Sequence, residues 1–120
     1  MTKAYIWNST DPPIEQIYDL LYRLGMVANT VTFFYTSYAI LLSIQEPQRL
    51  ELITKLLYPD VAKHYNSTKT AVEKGIRKMV DRIWRDNPQL LSEMTGKPLK
   101  AKPSNTQFLI IASSYLTSKT

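Results

Sequence analysis

The stretch from Asp60 to Arg85, DVAKHYNSTKTAVEKGIRKMVDRIWR, constrains the fold more than any other part of the chain. It reads as a helix-turn-helix with a basic second helix. Pro59 suits the first helical position, where a missing N–H has no intrahelical partner to lose. Asp60 then falls in the first turn, where the helix dipole favours a carboxylate. Val61 and Ala62 face inward, and small Ala62 lets the second helix cross close by. Asn66 lies four residues beyond Ala62, where the turn asks for a residue that tolerates the left-handed conformation. Ser67 or Thr68 caps the second helix through its hydroxyl. At about 100° per residue, Val72, Ile76, Met79, Val80 and Ile83 gather on one side of that helix. Thr70, Lys74, Arg77, Asp81 and Arg85 gather on the other, with Glu73 on the flank. A recognition helix over residues 68–86 would present Thr70, Glu73, Lys74 and Arg77 to the major groove. Arginine can pair bidentately with guanine, and glutamate can accept from the cytosine amino group.

Charge reinforces this reading. The net charge of the 120-residue chain is +5. Residues 1–60 carry four Lys/Arg against six Asp/Glu, or −2, whereas residues 61–102 carry ten against four, or +6. Basic charge concentrated on the helix-turn-helix and the segment after it points to a polyanionic partner. Thr68, Lys69, Lys78, Arg82, Lys100 and Lys102 are the candidates for phosphate contacts. Other classes fall away. With no cysteine in the chain, disulfides, thiolate zinc sites and thiol catalysis are excluded. His64 is the single histidine and has no partner for a metal site. The sequence holds no Ser/His/Asp set, Gly-rich phosphate loop or catalytic carboxylate pair, so neither an enzyme nor a cofactor is expected. No apolar run is long enough to span a bilayer, and the N-terminus lacks the basic-then-apolar pattern of a secretion signal. A cytoplasmic, nucleoid-associated protein is expected.

The remaining pattern is helical throughout one domain, residues 1–120. Residues 1–10, with Tyr5, Ile6 and Trp7, read as a short N-terminal arm that lies on the domain or touches a partner. Asp11-Pro12-Pro13 reads as a helix start, Ile14 to Leu24 as a helix, and Gly25 as its stop. Asn29 or Thr30 opens a second helix to about Gln45 that is apolar nearly all round, and its Tyr and Phe residues read as core. Glu46-Pro47 breaks the pattern. Leu50, Ile53, Leu56 and Leu57 form a third, short helical face. Asn87-Pro88 ends the recognition helix or begins a short helix with Leu90, Leu91 and Met94, stopped by Gly96. Lys97 to Pro103 is a basic loop. Ser104 and Gln107 space as a capping box for a last helix. The fold expected is all-α, a compact bundle of about six helices containing the helix-turn-helix. Trp84 is expected in the core. Gly75, inside the recognition helix, either permits a close crossing or is simply tolerated.

From about Leu50 onward the chain resembles the DNA-binding effector domain of the master sporulation response regulator of endospore-forming Firmicutes. The match is carried by Ile53-Thr54-Lys55, LYPDVAKHYN (Leu57 to Asn66), Val72-Glu73, Ile76-Arg77, Trp84, KAKPSN (Lys100 to Asn105) and Phe108. Weaker similarity at Leu24-Gly25, Tyr35 and Ala39-Ile40 extends it over about residues 14–117. The resemblance implies a helix-turn-helix that reads a short promoter box, head-to-tail dimers on paired boxes, and contact with the RNA polymerase sigma subunit. It assigns base reading to Glu73 and Arg77. Lys74 stands where the family has Arg, Ala71 where it usually has another, and Val31-Thr32-Phe33 where it usually has Lys-Gly-Tyr. Lysine offers a point charge in place of a bidentate fork. The family's receiver domain has no counterpart in these residues, which reads as a stand-alone paralogue or a fragment. The expectation is a sequence-specific transcription regulator. The rival is an interaction module that binds the sigma subunit or a full-length homologue as an antagonist without reading DNA.

Overall fold

The computed structural model describes residues 14–118, which fold into seven α-helices and one 3-10 turn. These are α1 (Ile14–Arg23), α2 (Val31–Gln45), the 3-10 turn (Pro47–Glu51), α3 (Ile53–Leu56), α4 (Tyr58–His64), α5 (Lys69–Asp86), α6 (Pro88–Thr95) and α7 (Asn105–Ser118). With α3 set aside as a single turn, six helices make the bundle. The arm at residues 1–10 and the helix start at Asp11-Pro12-Pro13 lie outside the described residues.

Helix α2 is the axis, in contact with α1, α4, α5 and α7. Its surroundings explain its composition. Phe33, Tyr35, Ala39, Ile40, Leu41, Leu42 and Ile44 are all buried. The polar residues among them, Thr36, Ser37 and Ser43, donate to the carbonyls of Thr32, Phe33 and Ala39 at 2.7–2.8 Å, so burial leaves those hydroxyls satisfied. Thr30 is the N-cap, its hydroxyl accepting from Phe33 N at 3.4 Å.

The stops are chemical. Gly25, at φ +99°, stands two residues beyond Arg23, the last residue of α1. The N–H of Met26 donates to Leu21 O and that of Gly25 to Tyr22 O, both at 2.9 Å, forming a Schellman motif. A Cβ on Gly25 would also meet Asn87 Nδ2 at 2.8 Å. That amide donates to Leu24 O, tying the start of α6 to the end of α1. Gly96 ends α6 in the left-handed conformation. The capping box of α7 forms in both directions: Gln107 N donates to Ser104 Oγ, and Ser104 N to Gln107 Oε1.

The expected third helix is not continuous. Leu52, with φ −146° and ψ 72°, separates the 3-10 turn from α3. Leu57 is buried and Leu50 and Ile53 are partly so, but Leu56 is exposed. Arg49 stabilises this broken path. Its guanidinium donates to Glu46, to the Leu56 carbonyl and to Asp60 at the start of α4. Burial works against its charge, but the hydrogen bonds to Asp60 and Glu46 outweigh that and raise its pKa.

Candidate nucleic-acid interface

The helix-turn-helix is built from α4 and α5. Leu57, not Tyr58, precedes the first helical residue of α4, so Pro59 takes the second position instead of the first. Either position spares the missing N–H, and the shift leaves Val61 and Ala62 buried as expected. Asn66 has φ +54°, alone among the described non-glycine residues in a positive value. Ser67 N donates to Ala62 O at 2.8 Å and Asn66 N to Lys63 O at 3.3 Å. Asn66 thus ends α4 with the same Schellman geometry that Gly25 gives α1. Thr68 is the N-cap of α5, accepting from Ala71 N at 3.1 Å. The Ser67 hydroxyl instead accepts from Tyr35 Oη at 2.8 Å, which pins the turn to α2. Tyr65 adds a hydrogen bond from its hydroxyl to Phe34 O.

Helix α5 buries one face and exposes the other. Val72, Ile76, Met79, Val80 and Ile83 are all within the core. Gly75 is buried as well. A Cβ there would stand 2.9 Å from Thr32 Cγ2 and 3.2 Å from Tyr35 Cδ2, so the glycine permits the close crossing of α2. Trp84 is only half-buried at the edge of the core. On the outward side, Thr70, Lys74 and Arg77 are exposed and Glu73 is half-buried. Arg77 Nη2 donates to Glu73 Oε1 at 2.7 Å, so two of the four candidate base readers hold each other one helical turn apart.

The six candidate phosphate residues do not form one cluster. Thr68 and Lys69 are exposed at the N-terminal end of α5, with the Thr68 hydroxyl already engaged as the cap. Lys78 and Arg82 are exposed on the flank of α5 away from Glu73. Arg82 lies 3.7 Å from Asp86, whose pKa is lowered chiefly by the hydrogen bond from Arg85. Lys100 is exposed on the loop before α7. Lys102 lies on the Glu73 side, in an ion pair with Asp81.

That side is a groove of about 400 Å³ lined by Tyr58, Glu73, Arg77, Asp81, Lys102 and Asn105, among others. Asn105 holds it together. Its amide donates to Tyr58 Oη at 3.0 Å and to Glu73 O at 3.1 Å, joining α7, α4 and α5. Burial pushes the Tyr58 phenol up, with the Asn105 hydrogen bond working the other way. Neither Asn105 nor Asp81 stood out as a site residue from sequence. The KAKPSN block contains Asn105, but its partners are distant in the chain, and nothing local marks them. His64 is exposed and stacks on Tyr38 with ring centroids 4.1 Å apart. Among the described residues no group of three or more His, Asp or Glu is placed to hold a metal. No described helix is long and apolar enough to cross a membrane.

A capped turn, a buried inner face and a charged outer face on α5 place the domain in the helix-turn-helix class. Comparison with protein families makes this specific: residues 17–116 match the family described as sporulation initiation factor Spo0A C terminal. The chain belongs to that family, which is one of DNA-binding transcription regulators of sporulation and not of enzymes.

Proposed function

We propose that the chain is a sequence-specific transcription regulator that sets α5 in the major groove of a promoter box. One observation carries the reading: the face of α5 opposite its buried stripe exposes Thr70, Lys74 and Arg77 beside half-buried Glu73, on a helix fixed at both ends. Helix α5 has 18 residues, about 27 Å of helix, enough to enter a groove and still cross the backbone. Arg77 reads a guanine, and Glu73 accepts from a neighbouring cytosine amino group while it steadies the guanidinium. Thr70 and Lys74 read the adjoining step. Lys69, Lys78, Arg82, Lys100 and Lys102 meet phosphates on either side, with the Thr68 end of the helix directed at the backbone. Family membership supports a head-to-tail dimer on paired boxes and a contact with the RNA polymerase sigma subunit.

The test is selection of bound duplexes from a random pool, followed by two variants. A defined box should emerge. Arg77→Ala should cost about 1–3 kcal/mol on that box and relax one base position, whereas Lys102→Ala should weaken all duplexes alike. If Arg77→Ala leaves both preference and affinity unchanged, α5 does not read bases in this register. A pool that yields no preferred sequence, with sigma subunit or a full-length homologue still bound, would instead establish the antagonist module.

A further inference from the structure

The ion pair between Lys102 and Asp81 does more than decorate a solvated helix face. Four positive side chains lie within reach of Asp81 on its own helix or across the groove: Arg77, Lys78, Arg85 and Lys102. Two of them are engaged elsewhere, Arg77 with Glu73 at 2.7 Å and Arg85 with Asp86 at 2.9 Å. Lys78 makes no ion pair among the described residues and points to the far flank of α5. Asp81 is thus left to Lys102, which bonds it through Nζ. Lys102 itself is held at that spot. Pro103, next in the chain, is buried, and Asn105, two residues further, is hydrogen-bonded to Tyr58 and to the α5 backbone. The ammonium therefore lines the same groove as Arg77, with the Asp81 carboxylate bonded to it.

We propose that Asp81 is an internal stand-in for a DNA phosphate, which occupies Lys102 in the free protein and has to be exchanged when a duplex docks. This rests on the proposed docking of α5. Both side chains are about half exposed, at 45% and 50%. An exposed pair of this kind changes an equilibrium by a factor of only about 2 to 5. It is therefore weak enough to be replaced by a phosphate and strong enough to lower affinity measurably. Any duplex offers phosphates, so the exchange attenuates binding to all sequences. It leaves a larger share of the discrimination to the base-reading row at 70, 73, 74 and 77.

A double-mutant cycle on duplex binding at one fixed salt concentration tests this, using the selected box and an unrelated duplex. Asp81→Asn should tighten both, and Asp81→Glu, which keeps the charge, should behave as wild type. In the Lys102→Ala background the gain from Asp81→Asn should shrink by a factor of about 2 to 5, because no lysine is released. Both positions are exposed, and the helical circular dichroism of each variant checks the fold. An equal gain in the two backgrounds would mean that Asp81 acts only as a diffuse negative charge, and overturns the proposal. So would weaker binding by Asp81→Asn, which would make Asp81 a support for Lys102 and not a competitor. If wild type and all variants fail to bind any duplex, the docking of α5 fails, and this inference falls with it. A wild type that binds normally while the cycle shows no coupling removes the inference alone.

Discussion

At Gly75 two effects of opposite sign meet. A glycine inside a helix costs about 1 kcal/mol relative to alanine. Yet a Cβ here would lie 2.9 Å from Thr32 Cγ2 and 3.2 Å from Tyr35 Cδ2, and overpacking a helix crossing costs about 1–3 kcal/mol. Tyr35 cannot withdraw freely, because its hydroxyl is bonded to Ser67. Gly75→Ala should therefore lower the urea midpoint, and adding Thr32→Ala should recover part of the loss. A midpoint that rises in the single variant would show that α2 yields and propensity decides. The sequence alone left two readings of Gly75 open, because the atoms that decide between them belong to α2. Ala71 and Lys74 pose a different question, since both are exposed and neither touches the core. Ala71→Arg with Lys74→Arg should shift the preferred box toward that of the sporulation regulator, because arginine supplies the planar fork that lysine lacks. Competition between the two boxes at one salt concentration reads this out. Equal tightening on both boxes would show that the new arginines act only as charge.

The turn between α4 and α5 sets the angle at which the recognition helix leaves the core, and it depends on one backbone conformation. Asn66 holds φ +54°. The left-handed region costs an ordinary L-residue roughly 1–2 kcal/mol, less for asparagine and nothing for glycine. Asn66→Ala should thus destabilise by about 1 kcal/mol, whereas Asn66→Gly should be nearly neutral; urea unfolding of both variants measures the difference. Thr68→Ala should cost a similar amount, about 1 kcal/mol, through loss of the N-cap. If Asn66→Ala and Asn66→Gly unfold at the same midpoint, the turn does not depend on this conformation. Elements governed by such local chemistry were legible in the sequence: Gly25, Asn66, Thr68, Gly96 and the Ser104–Gln107 box all act where the spacing placed them. The path from Pro47 to Leu56 was not. Its apolar spacing fits one short helix, but Arg49 reaches Glu46, Leu56 O and Asp60 at once, and that three-way contact accompanies a helix interrupted at Leu52. The same limit hid Asn105, whose amide joins three helices, and Asp81, which looked like one more residue of a solvated face.

Taken whole, the molecule separates its two tasks along the chain. The first sixty residues, with net charge −2, supply the buried axis α2 and the helix α1 that covers it. Residues 61–102, at +6, supply the face for a polyanion. The structure divides that positive charge further. Arg77, Arg82, Arg85 and Lys102 each have a carboxylate within 4 Å, while Lys69, Lys74, Lys78 and Lys100 form no ion pair among the described residues. Formal charge therefore overstates what is free to meet DNA, and the number of phosphates engaged has to be measured. If the five candidates Lys69, Lys78, Arg82, Lys100 and Lys102 each neutralise one phosphate, log K against log salt should fall with a slope of about −4.5. Between 50 and 200 mM salt that is a loss of roughly 500-fold in affinity. A slope nearer −3 would mean that the paired cations Arg82 and Lys102 keep their carboxylates in the complex. These outcomes can be told apart by repeating the titration with Lys102→Ala, which should flatten the slope by about 0.9 only if Lys102 meets a phosphate. An affinity flat across this range would remove the electrostatic basis for DNA binding by this face altogether.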